Sequence, residues 1–206
     1  MFRQPVFAED RLDVLHALID AHRLGTIVTN GSDGLSASLV PFSLDRARGP
    51  HGTLKAHLAK GNDQFDAFAA SGEALVIFQG PETYITPSWY PSKHEHGKVV
   101  PTWNYVVVQV WGRPVVIEDP AWLLGQIGEL TDAHEGTRPA PWSVSDAPDA
   151  YLASQLKGIF GIEIEIARIE GKWKTSQNRP EGDRVGVAEG LRVEGKAAMA
   201  ELVARR

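Results

Sequence analysis

The run Thr102-Trp-Asn-Tyr-Val-Val-Val-Gln-Val-Trp111 constrains this chain more than any other segment. Its β-branched and aromatic residues favour a long strand. Val106, Val108 and Val110 alternate with Tyr105, Val107 and Gln109. Residues two apart share a sheet face, so both faces of this strand are largely apolar. Such a strand must be covered on both sides. We expect one face in a barrel core and the other against a second copy of the chain.

The flanking pattern is that of a mainly antiparallel sheet. Leu12, Leu15, Leu18, Ile19 and His22 fall at helical spacing within residues 9–22, and Gly25 is a stop signal. Gly25–Asn30, Gly31–Gly34 and Leu35–Val40 read as strand, glycine turn, strand. Thr53–His57 alternates, with Leu54, Ala56 and Leu58 on one face and Lys55 and His57 on the other. A short helix is expected over residues 62–70, then a buried strand, Ala74–Phe78, ended by Gly80-Pro81. Pro87 and Pro91 forbid a regular helix over residues 83–102.

Beyond Gly112-Arg113 we expect a strand over Pro114–Glu118 and helices over Ala121–Glu135 and Ala150–Lys157. Gly161–Ile169 alternates strictly, with Ile162, Ile164 and Ile166 inward. A polar loop, Gly171–Arg179, and a helical tail, Val187–Arg206, interrupted at Gly190 and Gly195, come last. Hairpin-connected strands with peripheral helices, and no βαβ alternation, predict an α+β fold built on a β-barrel. The expected organisation is one domain over residues 1–186, with the 187–206 helix packed on it.

The chain has no cysteine, which excludes disulfides, thiolate metal sites and Fe–S clusters. Met1–Pro5 lacks the features of a signal peptide. No apolar run approaches the roughly 20 residues of a membrane helix. A cytoplasmic location is the expectation. The net charge is −5, and Lys and Arg are scattered without a basic helix. That argues against binding DNA through its phosphates. There is no G-x-S-x-G, H-E-x-x-H, P-loop or strand-led G-x-G-x-x-G motif. His94-Glu95-His96 reads as a solvated loop.

Four polar-aromatic clusters remain: His57–Asn62, Tyr84–Lys93, Trp103-Asn104 and Lys172–Arg179. Each sets hydroxyl, amide or cationic groups beside flat rings. An anionic phosphate needs several N–H and O–H donors plus Lys or Arg. A planar heterocycle needs apolar faces and a few donors at its rim. Trp89, Trp103 and Trp173 equally suit a core or an interface.

Five blocks carry a resemblance: Phe78–Pro81, Tyr84–Lys93, Val100–Tyr105, Pro141–Pro148 and Gly171–Arg179. In this order they are similar to the signature blocks of PaiB-like proteins, over residues 6 to about 191. The resemblance implies an FMN-binding split β-barrel of the pyridoxamine-phosphate-oxidase-like type, working as a homodimer with FMN at the subunit interface. It implies a phosphate site made by Lys55, His57 and Lys60, with Asn62 beside them, and by Thr86, Ser88 and Lys93, next to Trp89. Trp103 and Asn104, with Lys174, Ser176, Gln177, Asn178 and Arg179, would cover or edge the flavin ring. Where family members read His-x-Ala-Arg-Ala-Asn-Pro, this chain has His57-Leu-Ala-Lys-Gly-Asn-Asp63. Lys60 keeps the charge but lacks the bidentate fork of Arg. The family name implies negative transcriptional regulation, with DNA or a regulatory protein as partner. An FMN-dependent oxidoreductase acting on a small substrate is the other reading, and a haem-binding relative using His57 is a third.

Overall fold

The computed structural model describes residues 1–32, 34–70 and 72–205. In chain order its elements are β1 (Ala8–Glu9), α1 (Leu12–Ala21), β2 (Leu24–Gly31), β3 (Gly34–Pro41), β4 (Ser43–Asp45), β5 (Thr53–Ala59) and α2 (Phe65–Ala69). There follow β6 (Ala74–Ile85), α3 (Ser92–His96), β7 (Thr102–Gly112), β8 (Pro114–Ile117), α4 (Pro120–Glu135) and α5 (Asp149–Leu156). Last come β9 (Ile159–Glu165), β10 (Arg168–Lys174), α6 (Glu181–Val193) and α7 (Ala197–Ala204). The strands form two sheets, in the orders β1-β10-β7-β6-β2-β3 and β4-β5-β9-β8. The ladders β1–β10, β2–β3, β2–β6, β4–β5, β5–β9 and β8–β9 are antiparallel, and the fold class is α+β. The chain divides into two compact units: residues 1–15, 79–108 and 170–206, and residues 16–78 and 109–169.

The second unit is built around β5 and β9. Period-two alternation sends Leu54, Ala56 and Leu58 inward from β5 and Ile162 and Ile164 inward from β9. Ile27, Phe42, Val76 and Phe78 add to this buried set. Phe42 and Phe78 meet edge to face at 5.7 Å. Helix α4 starts at Asp119, whose carboxylate accepts from Trp122 N at 2.7 Å, with Pro120 at its first position. Its Trp122 ring fills the space that a side chain at Gly161 would need: a Cβ there would lie 2.1 Å from the ring.

In the first unit, Ile85, Tyr90, Val187, Leu191, Met199 and Val203 form one buried cluster. The half-buried Trp89 lies across α6, where a Cβ at Gly190 would fall 2.3 Å from its ring. Gly190 therefore continues the helix and admits the indole. The break between α6 and α7 is at Gly195, whose φ of +73° is left-handed.

Several sequence expectations are corrected. Strand β6 does not end at Gly80-Pro81 but runs on to Ile85. Its ladder with β2 covers only Leu75–Ile77, so the missing N–H of Pro81 falls beyond that ladder. Residues 171–174, expected as the start of a loop, belong to strand β10, with Gly171 and Trp173 turned inward between the lysines. His94 and His96 sit on the short helix α3 rather than in a loop, and both are exposed. The C-terminal helices begin at Glu181, earlier than residue 187.

One ion pair in the second unit sets an acid limit on stability. Arg48 donates two hydrogen bonds to the Glu163 carboxylate, the Nη2–Oε2 one at 2.6 Å, and Trp122 Nε1 donates to Oε1 at 2.9 Å. Burial pushes the Glu163 carboxyl up, but the Arg48 and Trp122 bonds outweigh it, so its pKa falls below the usual carboxylate value. A carboxyl lowered in the folded state stabilises the fold above its unfolded pKa, and that contribution is lost as pH falls through the folded value. Urea midpoints from about pH 6 to about pH 3 should therefore fall less steeply for Glu163→Gln than for the wild type. Gly161→Ala should cost about 1–3 kcal/mol by overpacking Trp122, read from the same denaturation curves.

Candidate functional site

In the first unit, β7 and β10 bring several sequence-chosen residues together. Lys174 Nζ donates to Trp103 O at 2.6 Å and also to Thr102 Oγ1. Asn104, fully buried on β7, donates from Nδ2 to Ser176 Oγ at 2.9 Å. Its Oδ1 is buried with no partner among the described residues, an unusual and costly state for a buried polar atom. Ser176 holds a left-handed φ of 64°. This conformation costs a non-glycine residue about 1–3 kcal/mol and tends to occur at functional sites. Gln177 braces the turn by accepting from Thr175 N at 2.7 Å and donating to Trp173 O. Asn178 is exposed.

The charge in this cluster is uncompensated. Burial, with Lys172 and Arg179 nearby, holds the Lys174 ammonium below the usual lysine pKa. Arg179 lies 4.7 Å from the ring of Tyr90. Burial raises the Tyr90 phenol, and Arg179 partly opposes that. Lys172 Nζ lies 5.3 Å from the Tyr105 ring and donates to Phe2 O at 3.0 Å. Lys172, Lys174 and Arg179 make no ion pair among the described residues. Beside them Trp103 is 52% exposed and meets Tyr84 edge to face at 6.2 Å. A cavity of about 290 Å³ is lined by Gln79, Glu82, Trp103, Tyr105, Val106 and Val107.

The segment after β6 is mixed. Thr86 Oγ1 accepts from Ser88 N at 3.2 Å, and Ser88 and Lys93 are exposed. Trp89 is taken up by α6 and serves packing. Ser92 is held from below, its N and Oγ donating to the buried Asp183 at 3.1 and 2.7 Å.

In the second unit, Lys55 and His57 share one face of β5, and both are already engaged. Lys55 Nζ lies 3.2 Å from Glu129 and 3.7 Å from Asp45. His57 Nδ1 lies 2.7 Å from Gln126 Oε1. Lys60 pairs with Glu118 at 2.9 Å across exposed side chains. Asn62 donates to Ser38 Oγ at 3.3 Å and accepts from Gln64 N at 2.8 Å. Sequence reasoning placed Lys172 in a polar cluster without a role at the cofactor, and it missed Tyr105, Gln126 and Glu129. Lys172 lies two residues before Lys174, on the same strand face. For Gln126 and Glu129 there was no signal, because nothing local says which strand a helix will cover.

These arrangements can be set beside known proteins. Residues 1–168 match the family model described as "Putative FMN-binding domain". An uncharacterised protein of Aspergillus fumigatus is 35% identical, the match covering 93% of this chain and 90% of that protein. "Protease synthase and sporulation protein PAI 2" of Bacillus subtilis is 31% identical, over 94% of this chain and 90% of its own. Among solved structures, the FAD and heme binding protein of Mycobacterium smegmatis superposes with a TM-score of 0.58 at 19% identity, over 80% of this chain and 71% of that one. The last likeness shows a shared fold. The chain belongs to the FMN-binding-domain family that includes the Bacillus PaiB protein, and its cofactor is FMN.

The donor set of the first unit fits that cofactor. Uncompensated cations suit a dianionic phosphate, and exposed rings suit a planar heterocycle. Lys174→Ala and Arg179→Ala should each weaken FMN binding about tenfold or more, while Lys55→Ala and Lys60→Ala should change it less than about threefold. Fluorescence titration of FMN checks this, and the reverse ranking would place the phosphate on β5.

Proposed function

We propose that this chain is an FMN-binding homodimer with a regulatory role of the PaiB type. The observation that carries the flavin site is the uncompensated cluster of Lys172, Lys174 and Arg179 beside Trp103 and Tyr105. In bound FMN the isoalloxazine supplies the redox chemistry. The chain's residues would bind and orient it: Lys174 and Arg179 toward anionic groups, and Trp103 and Tyr105 along a ring face. Thr86, Ser88 and Lys93 would add donors at the same cofactor.

Two observations support dimerisation. Val106, Val108 and Val110 are buried within the chain, while Tyr105, Val107 and Gln109 on the opposite face of β7 remain partly exposed. Leu35 and Leu39, on one face of the edge strand β3, are 79% and 67% exposed. Apolar side chains left open along a sheet are suited to burial by a second copy. The regulatory role is supported by the name of the Bacillus relative. The acidic net charge favours action through a protein partner over a broad phosphate contact. No helix among the described residues is long and apolar enough to cross a membrane, which is compatible with work in the cytoplasm.

An FMN-dependent oxidoreductase is the second reading, favoured by the open cavity beside Trp103 and Tyr105. Anaerobic NADPH should leave the flavin spectrum unchanged in a regulator and bleach it in a reductase. Purified protein given FMN should carry flavin absorbance through gel filtration, and sedimentation should report twice the chain mass of 22.5 kDa. A colourless 22.5 kDa species would overturn the proposal.

A further inference from the structure

The two C-terminal helices border a cavity that lies outside the residues matched by the FMN-binding-domain model. After α6 the chain turns at Gly195, whose left-handed φ of +73° lets α7 return against it. The cavity has a volume of about 280 Å³, at the small end of ligand pockets. Glu181, Arg184, Val185, Ala188 and Arg192 of α6 line it, with Val203 of α7. All of them belong to the first unit. Ala188 and Val203 are buried, and Val185 is exposed beside them.

Arg184, Ala188 and Arg192 recur every four residues, so they share one face of α6. Gly186 and Gly190, which lie under Trp89, are two residues further on. At about 3.6 residues per turn, two residues are roughly 200° around a helix. The cavity-lining face of α6 is therefore the one turned away from Trp89.

The two arginines are unmatched. Neither makes an ion pair among the described residues. Arg184 is half-buried, and its Nε is buried with no hydrogen-bond partner among the described residues. A buried N–H without an acceptor is costly, the more so on a charged group. Glu181 precedes Arg184 by three residues, a spacing at which helix ion pairs form, yet the two do not pair. The acceptor that best fits a guanidinium fork is a planar carboxylate.

Charge and shape narrow the choice. Two arginines against one glutamate leave the lining one net positive charge, which suits a singly charged anion. A phosphate dianion would set its second charge against Glu181 and leave the apolar wall bare. A carboxylate on a short aliphatic tail satisfies both, with its head on Arg184 and its tail on Val185, Ala188 and Val203.

We propose that the cavity between α6 and α7 is a binding site for a small aliphatic monocarboxylate, with Arg184 holding the carboxylate and Arg192 adding the second positive charge. The site is separate from the flavin cluster and does not depend on the FMN reading.

The test is isothermal titration calorimetry of the full chain with FMN present. Isovalerate should give saturable heat at millimolar concentration, with one site per chain. Isovaleramide, which keeps the tail and loses the charge, should bind about tenfold or more weakly. Acetate and inorganic phosphate should each bind more weakly than isovalerate. Arg184→Gln should weaken isovalerate about tenfold or more, and Ala188→Leu should abolish its binding by filling the cavity. No saturable heat with isovalerate overturns the inference. So does phosphate binding as tightly, isovaleramide binding equally well, or wild-type affinity in Arg184→Gln. The ligand series needs no variant, so it decides the matter even if Ala188→Leu misfolds. Flavin uptake is read separately by absorbance, so a failure of the FMN reading leaves these outcomes distinct.

Discussion

The pairing of charge decides how this molecule can be read. A lysine already held by a carboxylate offers little to an incoming anion, while one among other cations gains from it. Lys55 and Lys60 are of the first kind, with Glu129 and Glu118 within 3.2 Å. Lys174 is of the second, its ammonium disfavoured by burial and by Lys172 and Arg179. Lys172, Lys174 and Arg179 thus gather without a carboxylate partner on β10 and the turn after it, within the first unit. On β5, His57 Nδ1 is already taken up by Gln126.

Packing supports this division. Glycines at 161 and 190 sit under Trp122 and Trp89, so two indoles lie flat on a strand and on a helix. Trp122 in turn donates to Glu163, linking α4 to β9 and to Arg48. Helix α4 thus covers β5 for reasons of shape, and its Gln126 and Glu129 arrive with it. Trp103, with no such glycine beneath it, stays half open next to Tyr84.

Much of the fold was legible along the chain. Strict alternation placed Ile162 and Ile164 inward, as it did Leu54, Ala56 and Leu58. The helices over α4 and α5 were expected within a residue or two of their bounds, and the β2–β3 hairpin followed from its glycine turn. Misreadings arose where a local signal had a non-local answer. Gly80-Pro81 is a turn signal, but β6 runs on through it to Ile85, with Pro81 beyond the β2 ladder. Gly190 is a helix-stop signal, but the indole of Trp89 needed its missing side chain.

The sequence by itself determined the element pattern, the absence of thiol chemistry and the family, and so the cofactor. Side-chain alternation and motif order are properties of neighbours along the chain, and they survive without coordinates. Only the tertiary structure decided which polar residues are free to act. Whether a lysine is matched depends on a carboxylate far along the chain, 74 residues away for Lys55, and what His57 Nδ1 meets depends on an amide on another element. Those distances are set by packing, so the same residue types read alike in sequence and differ in chemistry once folded.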